Sequence, residues 1–391
     1  MISRPLCSRH LCIVTETYLP EVNGVANSLR HLISHLNPNL YRVSIVRTSP
    51  RSEFAQPDNE VWVKGVTIPQ YPDLQLGLPA RQRMKKLWRK DPPDAVYVAT
   101  EGLLGASAVS LARELGIPVI SAFHTNFHRY SGYYGLGWIR SAVMAWMRRF
   151  HNRTGATLVP SRAMVDELTS AGIERVEWLP HGVDCERFNP LHRSASLREE
   201  WGVKSGERVL LYVGRLAAEK NIRTALEAAE QAQASGAPVR VVVVGDGPLA
   251  SSLKERFPEV VFTGVKTGSE LSRCYASADI FMMPSQTETF GLVTLEAMAA
   301  GLPVVAYDLA AAAEFVRPGV DGVLAADESE DAFFHALKRI LRMETTLMGL
   351  DARAQAEQLS WLMVARQFER RIEALIADHF KSSGLVQPLH S

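Results

Sequence analysis

Each half of the chain alternates strand-like and helix-like segments, and that alternation limits the fold more than any other feature. In the first half, short β-branched runs at residues 10–15, 42–48, 95–98, 118–122 and 157–160 are separated by helical patterns at 25–36, 103–115 and 139–151. The second half repeats the scheme, with strand-like runs at 209–214, 239–245, 260–264, 280–284 and 303–307 and helical ones at 222–234, 249–256 and 292–300. Strands separated by helices cannot pair as tight hairpins. They pair in parallel and need helices on their faces, which is a doubly wound α/β arrangement. A single core seldom grows beyond ~250–300 residues, so 391 residues predict one such sheet per half. The turn-rich Pro180-His181-Gly182-Val183-Asp184, after a strand at 176–179, marks the boundary. The domains expected are residues 1–184 and 185–360. From residue 332 onward the pattern is helical only, and the tail after Phe380 reads as mobile.

Composition removes several classes. Hydrophobic residues are 47% and charged residues 22%, the balance of an ordinary globular chain. No run approaches the ~18 apolar residues of a membrane span. The first residues, with Arg4, Arg9 and His10, read as a first strand and not as a leader. Cys7, Cys12, Cys185 and Cys274 form no Cys-x-x-Cys pair, so neither a disulfide framework nor a zinc site is indicated, and a reducing cytoplasm is expected. The net charge of +1 conceals an asymmetry: residues 1–184 hold 21 Lys/Arg against 15 Asp/Glu, and residues 185–391 hold 22 against 27. Only the first half invites an anionic surface.

Ligands of open α/β sheets sit at the carboxyl ends of strands, so the chemistry is expected on those loops. The loop from Glu16 to Val25 leads into a helix at Gly24. Its amides suit a phosphate, although a plain tight turn fits equally. It contains no dinucleotide fingerprint, and the chain contains no P-loop. Gly214-Arg215 closes a strand, and Lys220 opens the next helix. An arginine fork and a lysine point charge suit phosphate oxygens, or they are a solvated pair flanking a turn. The block from Glu288 through Gly291 to Glu296 and Gly301 places two carboxylates eight residues apart across a strand-to-helix junction. Amides near Gly291, Leu292 and Val293 can meet a phosphate or sugar, and carboxylates accept hydrogen bonds from sugar hydroxyls. His124 and His128 follow a strand with no carboxylate nearby, so they suggest a polar contact and not a metal pair. The His31-x-x-x-His35 pair lacks the glutamate of a His-Glu-x-x-His site and reads as surface.

Taken together, Asn23-Gly24-Val25, His124, Pro180-His-Gly-Val-Asp184 with Arg187-Phe188, Gly214-Arg215 with Lys220, Gly245-Asp-Gly-Pro248 and Glu288-x7-Glu296 resemble the retaining glycosyltransferases of family 4 over nearly the whole chain. The resemblance implies the GT-B fold: two Rossmann-like doubly wound parallel-sheet domains facing across a cleft, with a last helix near 361–380 packing back on the first domain. It implies that Arg215 and Lys220 hold the donor diphosphate, assisted by backbone at Gly24. It also implies that Glu288 and the amides at Gly291, Leu292 and Val293 hold the donor sugar, that Glu296 binds the ribose and that Val265 brackets the base. His124 would sit beside the sugar. No Asp-x-Asp occurs, so no metal requirement and no prosthetic group are expected. One departure is Asp308-Leu-Ala310-Ala-Ala-Ala-Glu314, where relatives often carry a Gly-Gly pair before the glutamate.

Thr100-Glu101-Gly-Leu-Leu-Gly105 and the His124 block followed by Tyr133-Tyr134 further resemble mannosyl- and sulfoquinovosyltransferases that glycosylate membrane lipids. Residues 115–165 contain no Asp or Glu and include Arg140, Arg148, Arg149 and Trp146; residues 81–90 are strongly basic as well. Ile139, Val143, Trp146 and Phe150 fall on one helical face, which is either core or a bilayer-facing stripe. The expectation is transfer of a hexose, mannose from GDP-mannose first and glucose from a UDP-sugar next, to a lipid-linked acceptor admitted near Glu101. The protein would be cytoplasmic and peripheral on the inner membrane face, with an anionic bilayer and no nucleic acid as partner; the sequence does not fix its oligomeric state. The alternatives are a soluble sugar acceptor, a sugar-nucleotide epimerase, a binding protein without turnover, and a two-domain oxidoreductase, which lacks its glycine fingerprint.

Overall fold

The computed structural model describes residues 8–21, 23–50, 55–68, 71–123, 137–288 and 290–383. His124 and the side chain of Arg140 lie outside the described residues, as do Tyr133, Tyr134 and the tail beyond Ser383. The chain divides into two compact units, Met1–Gly182 with Trp361–Ser391, and Val183–Ser360.

The first unit is built on strands β1 (Arg9–Thr15), β2 (Tyr41–Thr48), β3 (Glu60–Val63), β6 (Ala95–Val98), β7 (Val119–Ala122), β8 (Ala156–Val159) and β9 (Val176–Trp178). They lie in the order β3-β2-β1-β6-β7-β8-β9, and every pairing is parallel. Strands β4 (Gly65–Ile68) and β5 (Tyr71–Gly77) form a separate antiparallel pair that the sequence pattern did not announce. Successive side chains of β1 go to opposite faces. Leu11 and Ile13 pack with Leu29 and Leu32 of the helix Gly24–His35, while Cys12 and Val14 pack with Met84 and Trp88 of the helix Arg81–Lys90 and Leu111 of the helix Leu103–Glu114. The basic stretch at 81–90 is therefore two-sided: Met84 and Trp88 are core, and Arg81 and Lys85 pair with Glu114.

The helix Trp361–Ser383 completes the first of those faces. Val364, Phe368, Ile372 and Ile376 recur every four residues, are at most 1% exposed and share the cluster of Leu11 and Ile13. The Phe368 ring meets Tyr97 edge-on at 4.9 Å. Polar ties fix the helix's register: Tyr41 donates to Glu373 at 2.9 Å, the Asn37 amide to Glu369 at 2.7 Å, and Arg371 to the Trp178 carbonyl at 2.6 Å. The expectation for His31 needs correction. It is half-buried, and its ring stacks on Trp361 at 5.1 Å and 8°. Its spacing from His35 resembled a surface pair because its partner lies 330 residues away in sequence.

The second unit holds β10 (Arg208–Val213), β11 (Val239–Val244), β12 (Val261–Phe262), β13 (Ile280–Met283), β14 (Val304–Tyr307) and β15 (Gly322–Ala325). Their order is β12-β11-β10-β13-β14-β15, again parallel throughout. One face packs Leu210, Val241 and Val243 against Leu226, Phe333 and Leu337 of the helices Ile222–Ala234 and Glu330–Ile340. On the other face Tyr275 of the helix Gly268–Ala276 meets Phe281 at 5.8 Å. The order in which the parallel strands are added changes sides between β1 and β6 in the first sheet and between β10 and β13 in the second. Those are the switch points where strand-end loops diverge and leave a crevice.

If the last helix is structurally part of the first unit, Phe368→Ala should destabilise that unit by about 3–5 kcal/mol, the usual loss for emptying a fully buried phenylalanine site. Chemical denaturation read by a probe in the first sheet checks this; an unchanged midpoint would contradict it.

Candidate functional site

In the second unit the loops after β10 and β13 converge on the switch point. Gly245, at φ +141°, lies so close to the β10 loop that an added Cβ would be 1.9 Å from the Gly214 carbonyl, and one on Gly247 would be 2.4 Å from that of Leu216. No side chain fits there, which explains the Gly-Asp-Gly-Pro spacing. The crossing is fastened by Leu216 N–H to Asp246 O at 2.9 Å, and Gly245 N–H is held on its other side by Gly264 O, also at 2.9 Å.

On this scaffold Arg215 projects outward, its side chain 65% exposed, with Glu219 3.5 Å away. Lys220 ends a short helical turn, Ala218–Lys220, and its Nζ donates to Glu288 Oε1 at 2.6 Å. Thr287 Oγ1 donates to the Glu219 carbonyl at 2.7 Å, so the two loops are tied side by side. Gly291 sits at φ +87°, a left-handed conformation that suits glycine, and opens the helix Leu292–Ala299. The Glu288 side chain passes 3.8 Å from the Cβ position of Gly291. The first helical amides, at Leu292 and Val293, have no earlier turn to bond to, and Leu292 is 40% exposed. Arg215, Lys220, Glu288 and Gly291 therefore form one surface at the carboxyl ends of β10 and β13.

Glu296 occupies a different environment within the same helix. Its Oε2 accepts from the Tyr275 hydroxyl at 2.9 Å. Burial pushes its carboxyl up to about 7, against the pull of that hydroxyl and of Arg187. Tyr275 is fully buried and meets Phe188 edge-on at 5.3 Å, and the Arg187 guanidinium lies 5.0 Å from the Phe188 ring. The Arg187-Phe188 pair noted in the sequence thus supports Glu296 from behind. Val265, 66% exposed, stands beyond β12. Where relatives often carry Gly-Gly, Ala310 adopts φ +51°, and the next residue, Ala311, donates its N–H to the Phe290 carbonyl at 2.7 Å. The chain thus takes a left-handed conformation here without glycine.

In the first unit Asn23 caps the helix at Gly24. Its Oδ1 accepts from Ala26 N–H at 3.0 Å, and its Nδ2 donates to Thr17 Oγ1 at 2.6 Å. A Cβ added to Gly24 would meet nothing within 4 Å, so this helix start is open. Two features here were not read from the sequence. Arg47, wholly buried at the end of β2, donates to the carbonyls of Leu19 and Thr48 and to Glu21, the last at 3.0 Å, and so clamps the loop that carries Asn23. Glu16, closing β1 at the switch point, accepts from Leu104 N–H at 3.4 Å. Burial pushes its carboxyl up to about 7, with Glu101 adding to the rise. An unpaired arginine at the end of an apolar strand was the only available signal for the first, and a lone carboxylate at a strand end for the second.

The expected apolar face of the helix Gly137–His151 divides. Met147 is buried with Val143 packed beside it and Phe150 is buried in the core of Cys12 and Val14, whereas Trp146 is 40% exposed and donates its indole N–H to the Glu101 carbonyl at 3.2 Å; the Ile139 side chain lies outside the described residues. Arg148 and Arg149 are exposed. Among the described residues no three His, Cys, Asp or Glu side chains converge as metal ligands, and no helix is long and apolar enough to cross a membrane.

Residues 22–187 match the family described as "Glycosyltransferase Family 4", and residues 207–343 match "Glycosyl transferases group 1". A GDP-mannose-dependent alpha-mannosyltransferase of Mycobacterium tuberculosis is 34% identical over 377 residues, covering 95% of this chain and 98% of that one. An alpha-monoglucosyldiacylglycerol synthase of Streptococcus pneumoniae is 31% identical over 75% of this chain and 70% of its own length. Among solved structures, sucrose-phosphate synthase from Thermosynechococcus elongatus superposes with a TM-score of 0.71 at 18% identity, over 95% of this chain and 100% of that one. Two family models that together span most of the chain, a relative 34% identical over nearly the full length of both chains, and two parallel sheets make this chain a member of glycosyltransferase family 4 with the GT-B fold.

Proposed function

We propose that this glycosyltransferase transfers a hexose with retention of configuration, mannose from GDP-mannose, to a lipid-linked acceptor at the cytoplasmic face of the membrane. The observation that carries the donor side is the convergence of Arg215, Lys220 and Glu288 beside the helix start at Gly291. Arg215 and Lys220 stabilise the charge that builds on the departing diphosphate. Glu288 and the amides of Gly291, Leu292 and Val293 hold the sugar, and Glu296 holds the ribose. Val265 borders the base. Two cations in place at the leaving group make a metal unnecessary, and no prosthetic group takes part. The preference for GDP-mannose rests on the mycobacterial relative, and the preference for a lipid rests on the streptococcal one.

The test is a panel of nucleotide sugars incubated with a bacterial lipid extract in the presence of EDTA, with products read by mass spectrometry and anomeric configuration by NMR. A mannosylated lipid of α configuration is expected, and its yield should fall by roughly a hundredfold or more in Arg215→Ala, the usual loss when a donor aimed at developing charge is removed. A mannosylated soluble sugar, or an isomerised donor with no acceptor consumed, would favour the alternative acceptor or the epimerase.

The high carboxyl pKa of Glu296 gives a second test. Folding raises it from 4.5 to about 7, so any stability linked to its proton is complete below the lower value and lost as pH rises through the higher. The ionised form is the one that accepts ribose hydroxyls. Affinity for GDP-mannose, whose diphosphate does not titrate in this range, should therefore climb from about pH 6 to about pH 8 and be flat in Glu296→Gln. A wild-type profile as flat as the variant's would remove the role.

Membrane attachment is assigned to the first unit. Its exposed Arg148 and Arg149 lie on the same helix as Trp146 and Arg140, and Arg153 is held below its ordinary pKa by burial, with Arg113 and Arg149 crowding it. Each basic side chain near an anionic bilayer contributes about 1 kcal/mol, screened by salt. Replacing Arg140, Arg148 and Arg149 by Ser should weaken binding to anionic vesicles by roughly a hundredfold at low salt. Equal sedimentation of both proteins with vesicles would contradict it.

A further inference from the structure

The Lys220–Glu288 ion pair joins two residues that the donor needs separately. Its length is 2.6 Å, and its side chains are only 26% and 16% exposed. Surface ion pairs are usually weak because two long side chains must be immobilised in high dielectric. Here both side chains are partly buried, and the loops that carry them are already tied by the Thr287–Glu219 hydrogen bond at 2.7 Å. Asn221, left-handed at φ +51°, fixes the chain immediately after Lys220. The contact is therefore an organised, charge-assisted one. By contrast, the neighbouring Arg215–Glu219 pair is longer, at 3.5 Å, and its side chains are 65% and 49% exposed.

An anion that approaches Lys220 has to compete with Glu288. A nucleoside diphosphate can take the lysine, but it offers the displaced carboxylate nothing except further negative charge. A sugar attached to that diphosphate offers hydroxyl donors in the same place. The two ligands thus differ in how Glu288 is left, and a partly buried carboxylate left unpaired is strongly unfavourable.

We propose that Glu288 is an internal counter-anion that makes the site prefer the sugar-bearing nucleotide over the nucleoside diphosphate remaining after transfer. It returns to Lys220 as the sugar departs and so weakens the hold on that product. This inference rests on the donor-site reading above and adds a role in product discrimination and release. Specificity of this kind comes from a repulsive element aimed at the wrong ligand as much as from attraction to the right one.

The experiment is titration calorimetry of GDP, UDP and GDP-mannose into wild type, Glu288→Gln, Lys220→Met and the double variant, with melting curves to confirm folding. Glu288→Ala serves as a second removal of the charge should the Gln variant not fold. Removing the carboxylate should tighten the preferred bare diphosphate by roughly ten- to thirtyfold, the lower end of the coupling between close charge pairs, while GDP-mannose gains less or loses. The double variant should bind the diphosphate no better than Lys220→Met, because the carboxylate acts through the lysine. Glu219→Gln, at the exposed pair, should change diphosphate affinity little. Binding of a diphosphate to wild type with no gain in either Glu288 variant, or an equal gain in the Lys220→Met background, would overturn the counter-anion role alone. A wild type that binds none of the three nucleotides would overturn that role together with the donor-site reading beneath it.

Discussion

A parallel sheet has two apolar faces, and neither can be left to water. In the first unit that requirement reaches across the whole chain. One face is closed by helices that follow directly in sequence, with Met84, Trp88 and Leu111. The opposite face is closed jointly by the helix Gly24–His35 and by the helix Trp361–Ser383, which supplies Phe368, Ile372 and Ile376. In sequence, the second unit, Val183–Ser360, is therefore inserted between two segments that build a single core. Near this junction Gly182 approaches the Trp361 ring so closely that a Cβ would lie 2.5 Å from it, and Val183 bridges Ser360. Strand order within each sheet then follows, and with it the switch points that carry the loops.

Those loops combine fixed backbone with charges that are only partly compensated. Gly245 and Gly247 permit contacts with the carbonyls of Gly214 and Leu216 that no other residue allows, so the chain on either side of Arg215 is held by main chain. Glu296 and Glu16 are the reverse case: ordinary carboxyl groups moved by burial to about 7, one in each unit. Such groups change charge near neutral pH, which an exposed glutamate does not.

Much of this was legible in the sequence because it is local. Alternating periodicities announced the strands of both sheets except the edge strands β3 and β15, and the Glu288-x7-Glu296 spacing announced a strand-to-helix junction that the structure places at β13 and Leu292–Ala299. What escaped depends on partners distant in sequence. Arg47 resembled any arginine closing a strand until Leu19, Glu21 and Glu60 were seen around it. His31 finds its stacking partner in Trp361. Trp146, read as one face with Phe150, turns aside because Glu101 offers its indole a carbonyl. The β4–β5 pair alternates only over Val66–Ile68 and Leu74–Leu76, and Pro69 and Pro72 interrupt the pattern, so its residues gave no clear strand signal. In each case the deciding energy is a tertiary contact that overrides local propensity.

The interrupted first unit also has a temporal side. A ribosome adds roughly 5–20 residues per second, so the interval between Gly182 and the end of the last helix lasts on the order of ten seconds or more. Throughout it Leu11, Ile13, Tyr97 and Ile120 are present in the nascent chain without Phe368, Ile372 and Ile376 to cover them. The second unit emerges and can close its own core during that pause, while the first waits with one sheet face partly bare. The order of completion thus opposes the order of synthesis: the later-made unit is the earlier to be complete, and the first unit is finished only by the helix Trp361–Ser383.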